Sequence, residues 1–334
     1  MIDLRSDTLT RPTPAMRAAM AEAEVGDDGY SEDPTVRRLE EASAALLGTE
    51  AALFVVSGTM ANQVALRTLA APGALVLVGA RAHLCQFERG ASARNALVQL
   101  HTLDDTSGAP EAAAVHEVVA DYLAIGVKPA LLAIENTHMP SGGVPIDADR
   151  TRSLAKAAGS AALYVDGARI ANAAVAFGAD PAELAAAATL VSMCFSKGLG
   201  APMGSVLAGP RELIERARAE RQALGGRLRQ AGIVAAAALV ALDGWREVLA
   251  RDHERARTLA DVLAEGLGRA RVAWGGTNMV LLAAPDAPAL VARLRSAGVA
   301  ANAIGARTVR FVTHRDLDDG AIVRAAERIV EVAR

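Results

Sequence analysis

Aromatic residues are scarce: five Phe, three Tyr and two Trp make up 3% of 334 residues. With so few large rings, alanine, valine and leucine must fill the core. There are only two cysteines, Cys85 and Cys194, and both lie in or beside apolar runs. That excludes a disulfide framework and leaves buried reduced thiols as the expectation. No charge of one sign dominates, because 35 Lys and Arg stand against 38 Asp and Glu, a formal net charge of -3. Without a basic field the chain lacks the electrostatic footprint of a nucleic-acid binder. Long hydrophobic runs are missing too. The longest, residues 231–242, is alanine-rich and too short to cross a bilayer, so it reads as a buried helix. The opening Met1-Ile2-Asp3-Leu4-Arg5-Ser6-Asp7 is not the apolar stretch of a signal peptide, and a cytoplasmic protein without a membrane partner is expected.

What is present is a globular composition, 52% hydrophobic and 22% charged. The length predicts a large domain plus a smaller one. Short apolar runs at 52–56, 75–78, 97–101, 130–134, 162–165, 190–195 and 204–207 read as strands. Helical patterns at 35–47, 61–70, 110–125, 149–158 and 181–187 fit between most of them. This alternation predicts an α/β fold with a largely parallel sheet. The last two strands are joined by a Gly/Pro loop too short for a parallel crossover, so one antiparallel strand is expected. From residue 211 long helices appear (211–224, 230–243, 252–267), then a smaller α+β section with strands near 279–282 and 309–313. The division expected is 1–245, carrying an N-terminal segment 1–14, and 246–334.

Ligands of open α/β sheets bind at the carboxyl ends of the strands. Five strand ends carry polar or small residues: Ser57-Gly58-Thr59, His83, Glu135-Asn136-Thr137-His138, Asp166-Gly167-Ala168-Arg169 and Ser196-Lys197. Lys197 follows the apolar run 190–195 and precedes Gly198-Leu199-Gly200. An amine at the mouth of a buried strand, partly withdrawn from water, is a candidate nucleophile suited to a Schiff base with pyridoxal phosphate (PLP). Alone, one lysine is weak evidence for a site, and the plainer reading is an ammonium that simply reaches water. Gly58 and Thr59 open a helix after a strand, where free N–H groups favour a single phosphate; an ordinary Ser/Thr cap has the same spelling. Asp166 ends a strand where a carboxylate can pair with a pyridine nitrogen. Its plainer reading is a surface pair with Arg169. His83 and His138 are loop histidines, each able to stack or exchange a proton.

Taken together, these segments resemble the L-threonine aldolases, of the aspartate-aminotransferase-like class (fold type I) of PLP enzymes. The matching stretches are Ile2-Asp3-Leu4-Arg5-Ser6-Asp7-Thr8, Val25-Gly26-Asp27-Asp28, Glu32-Asp33-Pro34-Thr35, Ser57-Gly58-Thr59-Met60, Ile134-Glu135-Asn136-Thr137-His138 and Val165-Asp166-Gly167-Ala168-Arg169-Ile170. Ser196-Lys197-Gly198-Leu199-Gly200-Ala201-Pro202, Arg229-Gln230-Ala231-Gly232 and Phe311-Val312-Thr313-His314 follow in the same order. The resemblance implies a large domain with a mostly parallel mixed sheet, a small C-terminal α+β domain, and PLP as cofactor. It implies retro-aldol cleavage of L-threonine, L-allo-threonine and other β-hydroxy amino acids to glycine and an aldehyde.

Site roles follow from the resemblance as well. Lys197 is the Schiff-base lysine and His83 the ring-stacking histidine and candidate base. Asp166 is the partner of the ring nitrogen, Gly58 and Thr59 the phosphate cup. Arg169 lies near the cofactor hydroxyl and substrate carboxylate, with Ser6 and Arg310 as the carboxylate clamp. Tyr30 and Arg229 are contributed by a neighbouring subunit of a homodimer or homotetramer. No residue is assigned as a metal ligand, and the resemblance leaves a cation near the N-terminal segment open. Three departures stand out. The stretch 121–129, where many relatives carry a second active-site histidine, has none; Gln222 and Arg227 replace residues that are often lysine and glycine. Another PLP reaction on the same scaffold, or a non-catalytic relative, remains open on the residues alone.

Overall fold

The apolar runs assemble into one sheet whose carboxyl ends share a rim. The computed structural model describes residues 1–334. Strand β1 (Ile2–Asp3) is followed by β2 (Ala51–Val55), β3 (Leu75–Gly79), β4 (Gln99–Leu103), β5 (Leu131–Glu135), β6 (Ala162–Asp166), β7 (Leu190–Cys194) and β8 (Ser205–Gly209). Strands β2 to β8 form a seven-stranded sheet in the order β2-β8-β7-β6-β5-β3-β4. The β4-β3-β5-β6-β7 run is parallel. As expected, one strand reverses: β8 is antiparallel to both β7 and β2. Every residue of β3, β5, β7 and β8 is buried, which explains why these strands read as continuous apolar runs rather than alternating ones.

Two local expectations are corrected. The strand expected at 97–101 lies at Gln99–Leu103, because Leu97 takes a left-handed conformation (φ 56°) and ends the preceding turn. The helix Ile170–Phe177 was not anticipated. Residues Ile170 to Ala174 are all buried, so the stretch shows no polar face and no helical periodicity.

A second layer builds the rest. Strands β9 (Val272–Trp274), β10 (Met279–Ala283), β11 (Val299–Ala300), β12 (Asn302–Ala303) and β13 (Thr308–Val312) follow in sequence. Four of them make an antiparallel sheet ordered β12-β13-β10-β9. Helices Ala287–Ser296 and Asp319–Ala333 pack into the same core. Residue 245, the expected boundary, is the first residue of the helix Trp245–Leu267. That helix serves both cores: Trp245 and Leu249 lie in the first, Leu259 and Leu263 in the second.

The N-terminal strand departs from the expected grouping with the large domain. β1 pairs in parallel with β11, and Leu4 is fully buried in the second core. Burying one leucine contributes about 2 kcal/mol, which holds this segment to the C-terminal layer. The chain then returns across the junction, where Thr10 Oγ1 donates to the Lys197 carbonyl at 2.8 Å. This contact ties the N-terminal segment of the small layer to the carboxyl rim of the large sheet. No helix is long and apolar enough to cross a membrane.

Candidate active site

At that junction lies a cleft of about 310 Å³, within the size range of small-molecule sites. Ser6, Gly58, Thr59, His83, Asp166, Arg169, Lys197 and Arg310 all line it. Eight of the ten residues given site roles by the resemblance therefore meet in one place. The two exceptions are Tyr30 and Arg229.

Lys197 sits two residues past Phe195, whose backbone closes the β7–β8 connection by bonding Gly204 and Ala201. The turn Lys197–Gly200 needs Gly200 at φ 84°, a left-handed position that favours glycine. Lys197 is half-buried, and its one side-chain partner is Cys194 Sγ at 3.5 Å. No carboxylate pairs with it, so its amine is not tied up in an ion pair.

Asp166 ends β6, beside Glu135 at the end of β5. Its carboxylate is buried and held from two sides: Oδ1 accepts from Ala168 N at 3.1 Å, and Oδ2 from Asn62 Nδ2 at 2.9 Å. The Asn62 carbonyl in turn accepts from Tyr164 Oη at 2.6 Å. Burial, reinforced by the Asp166 charge, pushes the Tyr164 hydroxyl well above its ordinary range, so it stays a donor. Asn62 stands one helical turn in from Gly58 on the helix Gly58–Leu69, so a single helix serves both the phosphate-cup candidates and the Asp166 carboxylate.

That helix starts on a Ser57 cap, whose Oγ accepts from Met60 N at 3.2 Å. The Gly58 backbone is pressed against β7: a Cβ there would lie 2.8 Å from Cys194 Sγ. Only glycine lets the helix start approach the strand so closely.

His83 opens the short helix His83–Gln86. Its backbone N donates to Glu135 Oε2 at 2.9 Å, and its Nδ1 lies 3.0 Å from Glu88 Oε1. Its ring stacks on Phe87 at 5.6 Å between centroids. Burial opposes charge on this imidazole, but the Glu88 hydrogen bond and the charges of Asp166, Glu88 and Glu135 outweigh it and raise the pKa. His138, by contrast, is buried away from the cleft, with Nε2 2.9 Å from Asp105 and Nδ1 2.8 Å from Ser141.

Arg169, expected near the cofactor hydroxyl and the substrate carboxylate, lines the cleft but is largely engaged within the protein. Its Nε and Nη2 donate to the two oxygens of Asp7 at 2.8 and 2.7 Å, and both side chains are buried. Only Nη1 is left without a protein partner. Burial would push the Asp7 carboxyl up, but Arg169, Lys197 and Asn278 outweigh it and hold Asp7 well below the carboxylate range. Arg310, on β13, is the freer cation. Its Nη2 donates to the Arg5 carbonyl at 3.1 Å, while its buried Nε has no partner. Burial and the neighbouring Arg169 bring its pKa down to about 10, against the pull of Asp7 and Glu135. Ser6 Oγ accepts from Thr8 N and Thr8 Oγ1 at 3.2 and 2.8 Å.

Tyr30 and Arg229 are exposed and lie off this chain's own cleft. Arg227, one of the departures, sits over the Tyr30 ring at 5.3 Å and donates to the Gly29 carbonyl at 2.9 Å. Gln222 is exposed. The stretch 121–129 leads into the amino end of β5. At roughly 3.3 Å per residue, Leu131 and Glu135 are about 13 Å apart. The missing histidine therefore falls at the end of β5 remote from this chain's cleft.

The sequence reading assigned no role to Asp7, Asn62, Glu88 or Glu135. Asp7 and Glu135 lie inside recognised motifs, and Asn62 has the helical offset from Gly58 as its signal. Glu88 has none, since its partners come from other elements.

Residues 3–285 match the family described as beta-eliminating lyase. The chain is 40% identical over 347 aligned residues to the low specificity L-threonine aldolase of Escherichia coli K12, covering 100% of this chain and 97% of that protein. Among solved structures, the threonine aldolase of Leishmania major superposes with a TM-score of 0.84 at 18% identity, covering 100% of both chains. A structure of SPT with PLP internal aldimine superposes with a TM-score of 0.75 at 19% identity, covering 99% of this chain and 87% of that one.

Proposed function

Because this chain belongs to the beta-eliminating lyase family, and by full-length similarity to the threonine aldolases, we propose that it cleaves L-threonine and L-allo-threonine to glycine and acetaldehyde. It is a PLP-dependent lyase. The observation that carries the substrate reading is the convergence of Lys197, Asp166, His83 and Arg310 on one cleft, with Arg310 Nε buried and unpartnered.

The cleft residues fit PLP. Lys197 has an amine free of ion pairs, Asp166 a fixed carboxylate, and Gly58 a backbone bare of Cβ at a helix start. Lys197 would hold the cofactor covalently, Gly58 and Thr59 its phosphate. Asp166 would hold its ring nitrogen, and His83 its ring face. Bound PLP supplies an electron sink for the pair released when a bond to Cα breaks.

The protein's own part is orientation and proton transfer. Arg310 offers a planar fork to the substrate carboxylate, seconded by Arg169 Nη1 and Ser6. Fixing the carboxylate fixes which bond at Cα is aligned for cleavage, and that selects the Cα–Cβ bond over loss of the α-proton. His83 Nε2 accepts the β-hydroxyl proton as the aldehyde departs. A side-chain pocket that tolerates other β-hydroxy amino acids accords with the low specificity named for the relative.

The exposure of Tyr30 and Arg229 away from their own cleft supports their service in a neighbouring subunit. We read the enzyme as a cytoplasmic homodimer or homotetramer on that basis and from the resemblance. Product analysis tests the reaction. Equimolar glycine and acetaldehyde from L-threonine are expected, and a 2-oxo acid in their place contradicts it.

A further inference from the structure

Glu88 lies outside every motif that carries the resemblance, yet its side chain is completely buried. It accepts from Asn62 Nδ2 at 2.6 Å and Gln63 Nε2 at 2.7 Å, and it meets His83 Nδ1 at 3.0 Å. Asn62 is shared: its second amide hydrogen goes to Asp166 Oδ2 at 2.9 Å, and its carbonyl accepts from Tyr164 at 2.6 Å. All hydrogen-bonding groups of that amide's NH2 are used, so its orientation is fixed. A continuous chain runs His83–Glu88–Asn62–Asp166. Its first member lines the cleft, and His83 Nε2 has no protein partner.

An ionised carboxylate only accepts hydrogen bonds, so its contact with Nδ1 requires Nδ1–H. The neutral ring then carries its lone pair on Nε2. We propose that Glu88 is a positioning residue for the cleavage reaction: it holds His83 in the Nδ1–H form, leaves Nε2 as the proton acceptor, and shares the Asn62 amide with Asp166. This rests on the reading of His83 as acceptor of the β-hydroxyl proton. The charged groups facing His83 are Glu88 from its own loop, Glu135 at the end of β5 and Asp166 at the end of β6. All three favour the protonated ring, and Glu88 alone also bonds to it. In a merely structural role, Glu88 would brace the helix Gly58–Leu69 against the His83 loop without setting the imidazole's state.

The test uses full-length, PLP-loaded enzyme labelled with ¹⁵N-histidine, with His83 assigned by the signal lost in His83→Asn. Glu88→Gln keeps an acceptor for Nδ1–H and removes the charge. The amide NH2 it introduces can donate to Gln63 Oε1, which is buried without a partner, once the Gln63 amide turns over. The same tautomer is expected, with the His83 titration and the acid limb of kcat/KM both moved down by roughly one pH unit or more. Glu88→Ala removes the acceptor, and the Nε2–H form is expected to appear. An unchanged tautomer in Glu88→Ala, or an unchanged His83 titration in Glu88→Gln, overturns the proposal. A titration that moves while the acid limb of kcat/KM stays in place supports the hold of Glu88 on His83. In that case it is the proton-acceptor reading of His83 that fails.

Discussion

The Asp7 carboxylate and the Arg169 guanidinium are locked in a buried two-bond pair, at 2.7 and 2.8 Å, between the N-terminal segment and the loop that follows β6. One residue belongs to a segment anchored in the small layer, the other to the rim of the large sheet. The pair therefore fastens the junction on which the cleft is built. Asp7→Asn leaves a buried guanidinium without its counter-charge, at a cost of about 3–5 kcal/mol. The pH dependence follows from the depressed Asp7 pKa. Its contribution is present above the unfolded carboxylate pKa of about 3.9 and is lost as pH falls through the lower folded value. Denaturant titrations should show wild type well above Asp7→Asn at pH 7, with the gap closing under strong acid.

Asp252 has the opposite sign. It is fully buried in the helix that joins the two cores, with Oδ2 unpartnered. Burial, helped by the Asp7 charge and only partly offset by Arg255, pushes its pKa to about 7. The native state then holds a proton that the unfolded chain has lost, so stability falls as pH rises from about 4 towards 7. Asp252→Asn should raise the thermal midpoint by a few degrees at pH 8, with the difference shrinking as pH approaches 4.

Arg310→Lys keeps a positive charge but loses the planar fork. A charge-assisted hydrogen bond contributes about 1.5–3 kcal/mol, so kcat/KM for L-threonine should fall by roughly tenfold to a hundredfold. An unchanged value would move the carboxylate clamp elsewhere, with Arg169 Nη1 next in line.

Subunit exchange probes Tyr30 and Arg229. Lys197→Ala and Arg229→Ala proteins should each be nearly inactive. Mixed after reversible dissociation, they should regain roughly a quarter of wild-type activity if Arg229 serves the partner's cleft, because half the dimers become hybrids with one intact site each. No recovery would place Arg229 outside the partner's site.

How much of this was legible depended on where the signal resided. Lys197 and Asp166 could be found because fully buried strands spell continuous apolar runs, so their polar ends stand out. The helix Ile170–Phe177 was hidden because its buried residues 170–174 and its exposed end, Ala176 and Phe177, are alike almost wholly apolar, which leaves no periodicity. Arg310 was reached only through the resemblance, since nothing in β13 marks its Nε as unpartnered. The Glu88–Asn62 contact spans 26 residues and two elements, and no local pattern encodes it. The absent histidine in 121–129 looked like a loss at the site. The sheet places that stretch at the far end of β5, so within one chain the departure takes nothing from the cleft.

Aldehyde release from the four threonine stereoisomers, measured on the PLP-loaded protein, tests the central claim most directly. Acetaldehyde and glycine are expected from L-threonine and L-allo-threonine, and from neither D isomer. Release confined to the D isomers, or no release from any of the four, would contradict it.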